Sequence, residues 1–471
     1  LPFCLLLLLA APLQAQNTRT VELSANSLVG YEQAGGRVNR LLGNVQLRQG
    51  ETRLWANEAT DTGQDDLLFT GNVLIVERGD SLRADRVLYN KRTKTGQASG
   101  HVRLSDGEVV VQAPSGLYFT EEKRARFTEG VTLIDSTSVL ESAGGEYFSD
   151  EKRAEFYGAI RLWTEQTFLE ADSITYFRET EVSIARGHVF IRQEGGDDTA
   201  AADSTTRTFL FSDWAWNDNL NQTSRLRGQP LLVQVRADTT GTPTDTLIIR
   251  AGVIEALRPD STLQRLVATD SVRIWQQEFA AVADSVVSER WRLPDLPTRE
   301  ESRLYHNPMA WFEQTQVNGD TLRILTRDGG IDSLFVRANT FVALFDTLLQ
   351  RIQQLRGQHL VGLFRNDSLH TLHVGPNAET IYFLKNEDKA PDGAVQASSD
   401  RVTFYFAGGE LQDFKFFTDV EGTLYSEELL PQPFHLTGFS WRPDERPTKP
   451  SLLTMPGTLE RLAASPPPPR R

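Results

Sequence analysis

The chain is almost free of cysteine. Cys4 is the single one among 471 residues, and it stands at the extreme N-terminus. Downstream of it there is no disulfide, no thiolate metal ligand and no cysteine nucleophile to consider. Long apolar runs are also missing. No segment after residues 5–11 approaches the ~18 consecutive apolar residues of a membrane-spanning helix. Positive charge is in short supply, with 49 Lys and Arg against 63 Asp and Glu, a net charge of −14. A field of that sign repels nucleic acid and anionic membrane surfaces, so no nucleic-acid partner is expected. The short signatures of common enzymes are absent: no P-loop, Gly-x-Ser-x-Gly, His-Glu-x-x-His or calcium loop occurs.

Residues 5–11 form a short apolar stretch, followed by Pro12-Leu13-Gln14-Ala15. This reads as the h-region and cleavage site of a secretory signal peptide covering residues 1–15. Those residues carry no charged side chain, so cleavage leaves the net charge unchanged.

What the chain does contain is a repeat. Its first half is Gly-x-Val-x-Leu: Gly43-Asn44-Val45-Gln46-Leu47, Gly71-Asn72-Val73-Leu74-Ile75, Gly100-His101-Val102-Arg103-Leu104, Gly158-Ala159-Ile160-Arg161-Leu162 and Gly187-His188-Val189-Phe190-Ile191. A shorter copy, Gly130-Val131-Thr132-Leu133, fills the gap, and the glycines fall 28 to 30 residues apart. The second half is apolar-x-Ala followed by Asp, Asn or another residue. It occurs at Leu54-Trp55-Ala56-Asn57, Leu82-Arg83-Ala84-Asp85, Val111-Gln112-Ala113-Pro114, Ala143-Gly144 and Leu169-Glu170-Ala171-Asp172. A fixed period of this size means one supersecondary unit stacked on its neighbours.

Within a unit the apolar residues alternate, which marks strands with one buried face. Val45/Leu47, Val73/Ile75, Val102/Leu104, Ile160/Leu162 and Val189/Ile191 follow the Gly at its +2 and +4 positions. After the Ala, apolar residues resume at +3 and +5, as in Val87/Tyr89 and Ile174/Tyr176, which breaks the parity. A bulge or corner at the Asp position accounts for that reset. Each unit is therefore expected to be two or three short strands joined by polar turns. A sheet with one apolar face must cover it. The expected fold is all-β, a jelly roll or solenoid of stacked antiparallel strands in two or more consecutive modules.

Catalysis and metal binding find little support. Only His370 and His373 are close among seven histidines, and in a strand they point to opposite faces. Asp85 and Asp172, with Asn57 in the same slot, recur once per unit at a strand corner, which is the signature of turn hydrogen bonding rather than a catalytic pair. No cofactor is expected. The remaining candidates are the inward apolar positions: Val45, Leu47, Ala56, Val73, Ile75, Ala84, Val102, Leu104, Ala113, Ile160, Leu162, Ala171, Val189 and Ile191. Taken singly these read as core. Collectively, a ladder of small residues can leave room for a chain-like apolar ligand, and the sequence leaves open whether the interior is a groove or filled.

Gly-Asn-Val-x-[Leu/Ile] followed by Leu-x-Ala-[Asp/Asn]-x-x-x-Tyr resembles the OstA-like domain of lipopolysaccharide-transport proteins, the LptA family, most clearly over residues 38–192. Phe211-Ser212-Asp213-Trp214, Arg227-Gly228-Gln229 and Ala268-Thr269-Asp270-Ser271-Val272-Arg273-Ile274 resemble drifted copies. The resemblance implies a non-enzymatic periplasmic carrier or bridge whose interior holds the acyl chains of lipopolysaccharide on the way to the outer membrane. It also implies partners among other lipopolysaccharide-transport proteins of the inner and outer membrane, or further copies of the chain, joined by edge-strand pairing. The alternative is a structural β-solenoid of the cell envelope without lipid cargo. The expected organisation is a regular jelly roll over 16–196, drifted repeats over 205–292, a β-rich module over 300–440 and a Pro-rich disordered tail over 442–471.

Overall fold

A computed structural model describes residues 21–464 apart from 34–35, 50, 63–64, 78, 108, 120, 196–203, 239, 241, 260–261, 294–295, 328–329, 367 and 408–409. The expected signal peptide, most of the polar linker after Gly195 and the extreme C-terminus lie outside the described residues. Strand accounts for 72% of the chain and helix for 4%, which makes the fold all-β. The described residues divide into two compact units: 21–193 with 214–220, and the remainder from 194 to 464.

The first unit is an antiparallel meander of bent strands. Gly36–Gln49, Thr52–Asp61, Asp66–Glu77, Asp80–Asn90, Thr95–Ser105 and Val110–Phe119 each pair with the next. One repeat is thus two long strands, where the sequence suggested two or three short ones. The strand does not stop at the parity reset because a bulge absorbs it. Register shifts fall between Leu42 and Val45, between Thr70 and Val73 and between Ser99 and Val102, opposite Asn57, Asp85 and Pro114. There the strand bends, and its two halves line the two facing walls of the jelly roll. Where the repeat is shortened, around Gly130 and Ala143, the strand divides in two, Arg124–Thr128 with Val131–Ile134 and Ser138–Ser142 with Gly144–Phe148, as it also does in the first rung, Val21–Ser24 with Ser27–Gln33.

The bulge explains the Gly-x dipeptide. Gly71 and Asn72 both have positive φ, 78° and 51°, as do Gly100 and His101, at 77° and 46°. Such conformations favour Gly first and Asn or His next. The same paired geometry continues into the second unit without glycine, at Asp270–Ser271, His306–Asn307, Ala338–Asn339 and Thr418–Asp419.

The second unit repeats the architecture with longer strands, among them Leu263–Gln276, Phe279–Trp291, Gly330–Asp346 and Arg351–Arg365. The segment 344–355, which has a helix-compatible pattern, belongs to the hairpin of the last two. The break expected between 292 and 300 does not interrupt the stack, since Phe279–Trp291 pairs with Arg299–Tyr305 across it.

The tail needs correction. Residues 442–464, expected to be disordered, carry a turn at Pro443–Glu445 and short helices at Lys449–Leu452 and Thr458–Ala463. Leu452 and Thr458 are almost completely buried. The Pro-rich composition hid these anchors, and a capping box between Thr448 and Ser451 starts the first helix.

Candidate ligand interior and its edge

Strand register assembles the interior of the first unit into continuous rows. The first row pairs a branched residue with a small one: Val45 with Ala56, Val73 with Ala84, Val102 with Ala113 and Ile160 with Ala171. All eight are buried, and Val189 lies equally deep. Beside it runs an unbroken aliphatic spine. Leu47, Leu54, Ile75, Leu82, Leu104, Val111, Leu133, Leu140, Leu162, Leu169 and Ile191 each face the next across eleven consecutive strands. Leu47, Leu162 and Ile191 are half-buried, while Ile75 and Leu104 are buried. The predicted interior residues therefore share one face, and the register brings them together.

Beyond the bulge a third row mixes large and small, and alternates them over its last four members: Phe69, Val87, Ala98, Gly116, Phe127, Gly145 and Phe156. A fourth, recognised only in part from the sequence, carries tyrosine at a strict interval of 29: Tyr89, Tyr118, Tyr147 and Tyr176. Each stands opposite a small residue, as Tyr89 opposite Gly96 and Tyr118 opposite Ala125. Burial pushes the Tyr89 and Tyr176 hydroxyls above the ordinary tyrosine value, so they stay protonated at neutral pH. Tyr147 escaped notice because its repeat is the shortened one, yet the interval alone locates it.

Alternating volumes interdigitate and fill space. One cavity of about 30 Å³ lies among these rows, lined in part by Val111, Phe127, Leu133, Tyr147 and Phe156. That is room for about one water and not for an acyl chain.

The corner carboxylates do not close turns as expected: each lies within a strand, beside a bulge of its neighbour, and bonds across the ladder. Asp85 meets the His101 ring at 2.8 Å and Asp172 meets His188 at 2.9 Å, all four exposed. His370 and His373 hydrogen-bond to Thr371 and Thr403. Among the described residues no three His, Cys, Asp or Glu side chains converge as metal ligands. The outer face carries cross-strand ion pairs such as Glu146 with Arg124 (3.1 Å) and Arg126 (2.6 Å). Burial alone would raise the Glu146 carboxyl, but the two guanidinium groups outweigh it and hold it below the ordinary glutamate value.

The first described rung, Val21–Ser24 and Ser27–Gln33, pairs on one side only among the described residues, with Gly36–Gln49. Leu23, Leu28, Val29 and Tyr31 on it are exposed, Leu28 by 65%. An apolar edge strand with free backbone groups is a template for another strand. No helix among the described residues is long and apolar enough to cross a membrane.

Residues 18–195 match the model of a family described as OstA-like protein. The match covers the regular repeats and stops where the spacing stretches. Among solved structures, the chain is similar to LptH, the LptA-homologous periplasmic component of the conserved lipopolysaccharide transport device from Pseudomonas aeruginosa. The similarity spans 36% of this chain and 82% of that one, at 14% identity and a TM-score of 0.15. No curated protein matches the chain.

Proposed function

We propose that the chain is a non-enzymatic periplasmic carrier or bridge that moves lipopolysaccharide toward the outer membrane. The observation that carries this reading is the aliphatic spine of the first unit, an unbroken apolar track from Leu47 to Ile191 inside an OstA-like domain. Each CH₂ removed from water is worth about 0.8 kcal/mol, so a multi-acyl lipid gains much from such a track. Transfer from one apolar track to the next is nearly neutral, and direction has to be imposed by other components. An acyl chain lying along this track needs the walls to part, and the first described rung, paired on one side only among the described residues, is the natural place to begin. The same rung supports edge-strand pairing with an envelope partner of like fold or with a second copy.

The small cavity favours one other reading, a structural β-solenoid with no lipid cargo. Photo-crosslinking separates the two. A photoreactive residue at Val102 or Ile160, on the inner rows, should capture lipopolysaccharide, whereas Arg103 or Arg161, one position along and facing outward, should not. Equal capture from both faces, or none from either in protein taken from its native envelope, refutes the interior path.

A further inference from the structure

The two units differ on the outer face. In the first, the row outside the spine is largely polar, as at Gln46, Arg83, Arg103, Gln112, Glu141 and Arg161. In the second, the corresponding row runs Ala280, Trp311, Gln316, Ala343, Gln354 and Ile381, strand to strand, and none is more than 2% exposed. The inner neighbours of these residues, such as Ala281, Ala310 and Val317, are buried as well. This wall is therefore dry on both sides, and the segment from Ser426 onward is what covers its outer side.

That segment is gripped by two buried glutamines in the same way. Gln354 accepts from the Leu436 amide (2.9 Å) and donates to the Phe434 carbonyl (3.3 Å). Gln316 accepts from the Arg442 amide (2.8 Å) and donates to the Ser440 carbonyl (2.8 Å). Each side-chain amide imitates a neighbouring strand, satisfying the backbone at positions i and i+2. Phe434, Phe439 and Trp441 add ring contacts to Phe383, Phe341 and Phe345. The segment crosses the strands instead of extending the sheet. It is fixed at one end by Glu427, paired with Arg351 and the Gly393 amide, and at the other by Thr454, bonded to Arg250 at 2.6 Å.

We propose that residues 426–454 are a clamp that ties the strands of this wall together and keeps the interior of the second unit closed to apolar ligands. A strap bonded across several strands resists any splaying between them, which pairing along one edge does not. The closure to ligand rests on the carrier reading, whereas the mechanical tie does not.

The test uses the full chain carrying Gln316→Ala with Gln354→Ala, and separately Phe439→Ala with Trp441→Ala. Hydrogen exchange and labelling by a photoactivatable C16 fatty acid are both measured. The clamp requires exchange of residues 430–446 and of the strands Met309–Phe312 and Gly330–Asp346 to rise about tenfold or more in both variants. Exchange in the first unit should stay unchanged, which certifies the fold. Labelling of Phe279–Trp291 and Arg299–Tyr305 should rise at least tenfold over the parent. Faster exchange in the strap with unchanged wall strands overturns the tie, and so does an unchanged strap. Loosened walls without new labelling overturn the closure. Failure of the fatty acid to label either unit in any protein counts against the carrier reading, while exchange still decides the tie.

Discussion

Replacing Gly100 by Ala tests the reason for the repeat most directly. Two costs are separable at this site. The first is backbone strain: φ is +77° at Gly100, and an L-residue with a Cβ pays about 1–2 kcal/mol there. The second is contact across the ladder. A Cβ on Gly100 would meet the Cβ of Asp85 at 2.7 Å and its carboxyl carbon at 2.8 Å. Those atoms cannot all be rotated away, so overpacking adds about 1–3 kcal/mol. Gly107, also at positive φ (+93°) but with nothing within 4 Å of its virtual Cβ, pays only the first cost. For a unit of this size each kcal/mol lowers Tm by about 2–4 °C. Gly100→Ala should therefore cost about 4–20 °C, and Gly107→Ala about 2–8 °C.

The partner change sharpens the test. Asp85→Ala keeps the offending Cβ and should not rescue Gly100→Ala, whereas Asp85→Gly should. Thermal unfolding of the double-mutant cycle should show a favourable coupling of about 1–3 kcal/mol for the Gly exchange only. The chain has already made this exchange once. Gly252 faces Asp270, whose Cβ would lie 2.5 Å from a Cβ on the glycine, with the glycine on the other strand of the pair. Equal losses at Gly100 and Gly107, or rescue by Asp85→Ala, would refute the claim that the Gly100–Asp85 pair has room for only one side chain.

Leu82, 1% exposed in the spine, should lose about 2–5 kcal/mol on truncation to Ala, while Leu28, 65% exposed on the first rung, should lose no more than about 0.5 kcal/mol, both read by chemical denaturation. Leu23→Lys with Leu28→Lys should weaken concentration-dependent association or partner crosslinking without lowering Tm, because charge on an edge strand blocks pairing but leaves the core alone. Glu146, held below the ordinary glutamate value by Arg124 and Arg126 despite its burial, contributes stability above the unfolded pKa of about 4.3 and loses it as pH falls through the lower folded value. The Tm of the parent should therefore drop below about pH 4.3, and that of Glu146→Gln should drop less across the same window.

Much of the first unit was legible because one local constraint repeats in one chemical form. The αL pair demands Gly and then Asn or His, and the Asx opposite fills the space the glycine leaves. Three letters therefore mark each bulge at Gly71, Gly100 and Gly187. The inward positions follow by parity, which is how Val45, Val73, Val102, Ile160 and Val189 could be placed. The trail fades after Gly228 because the geometry persists while the residues change. Asp270–Ser271, His306–Asn307 and Ala338–Asn339 hold the same pair of positive φ angles without a glycine to announce it. Asn, Asp and His tolerate that region through local hydrogen bonds, so the fold keeps its bulge and the sequence loses its marker.

The clamp was hidden for a different reason. A strand buried on one face alternates, and a strand buried on both reads as a continuous apolar run. Phe279-Ala280-Ala281-Val282-Ala283 and Phe341-Val342-Ala343 are such runs, in contrast to the strict alternation of Leu82-Arg83-Ala84 or Val102-Arg103-Leu104. They announce a covered outer face without naming the cover. The cover lies at Phe434, Leu436, Phe439 and Trp441, at the end of the stretch expected to be a β-rich module and beside the Pro-rich tail, yet no strand forms there after Tyr425 and the segment has no core of its own. It has no core until a wall with matching apolar residues and two correctly spaced glutamines supplies one, and that match is made only in the folded chain, across separations such as 82 residues from Gln354 to Leu436 and 126 from Gln316 to Arg442.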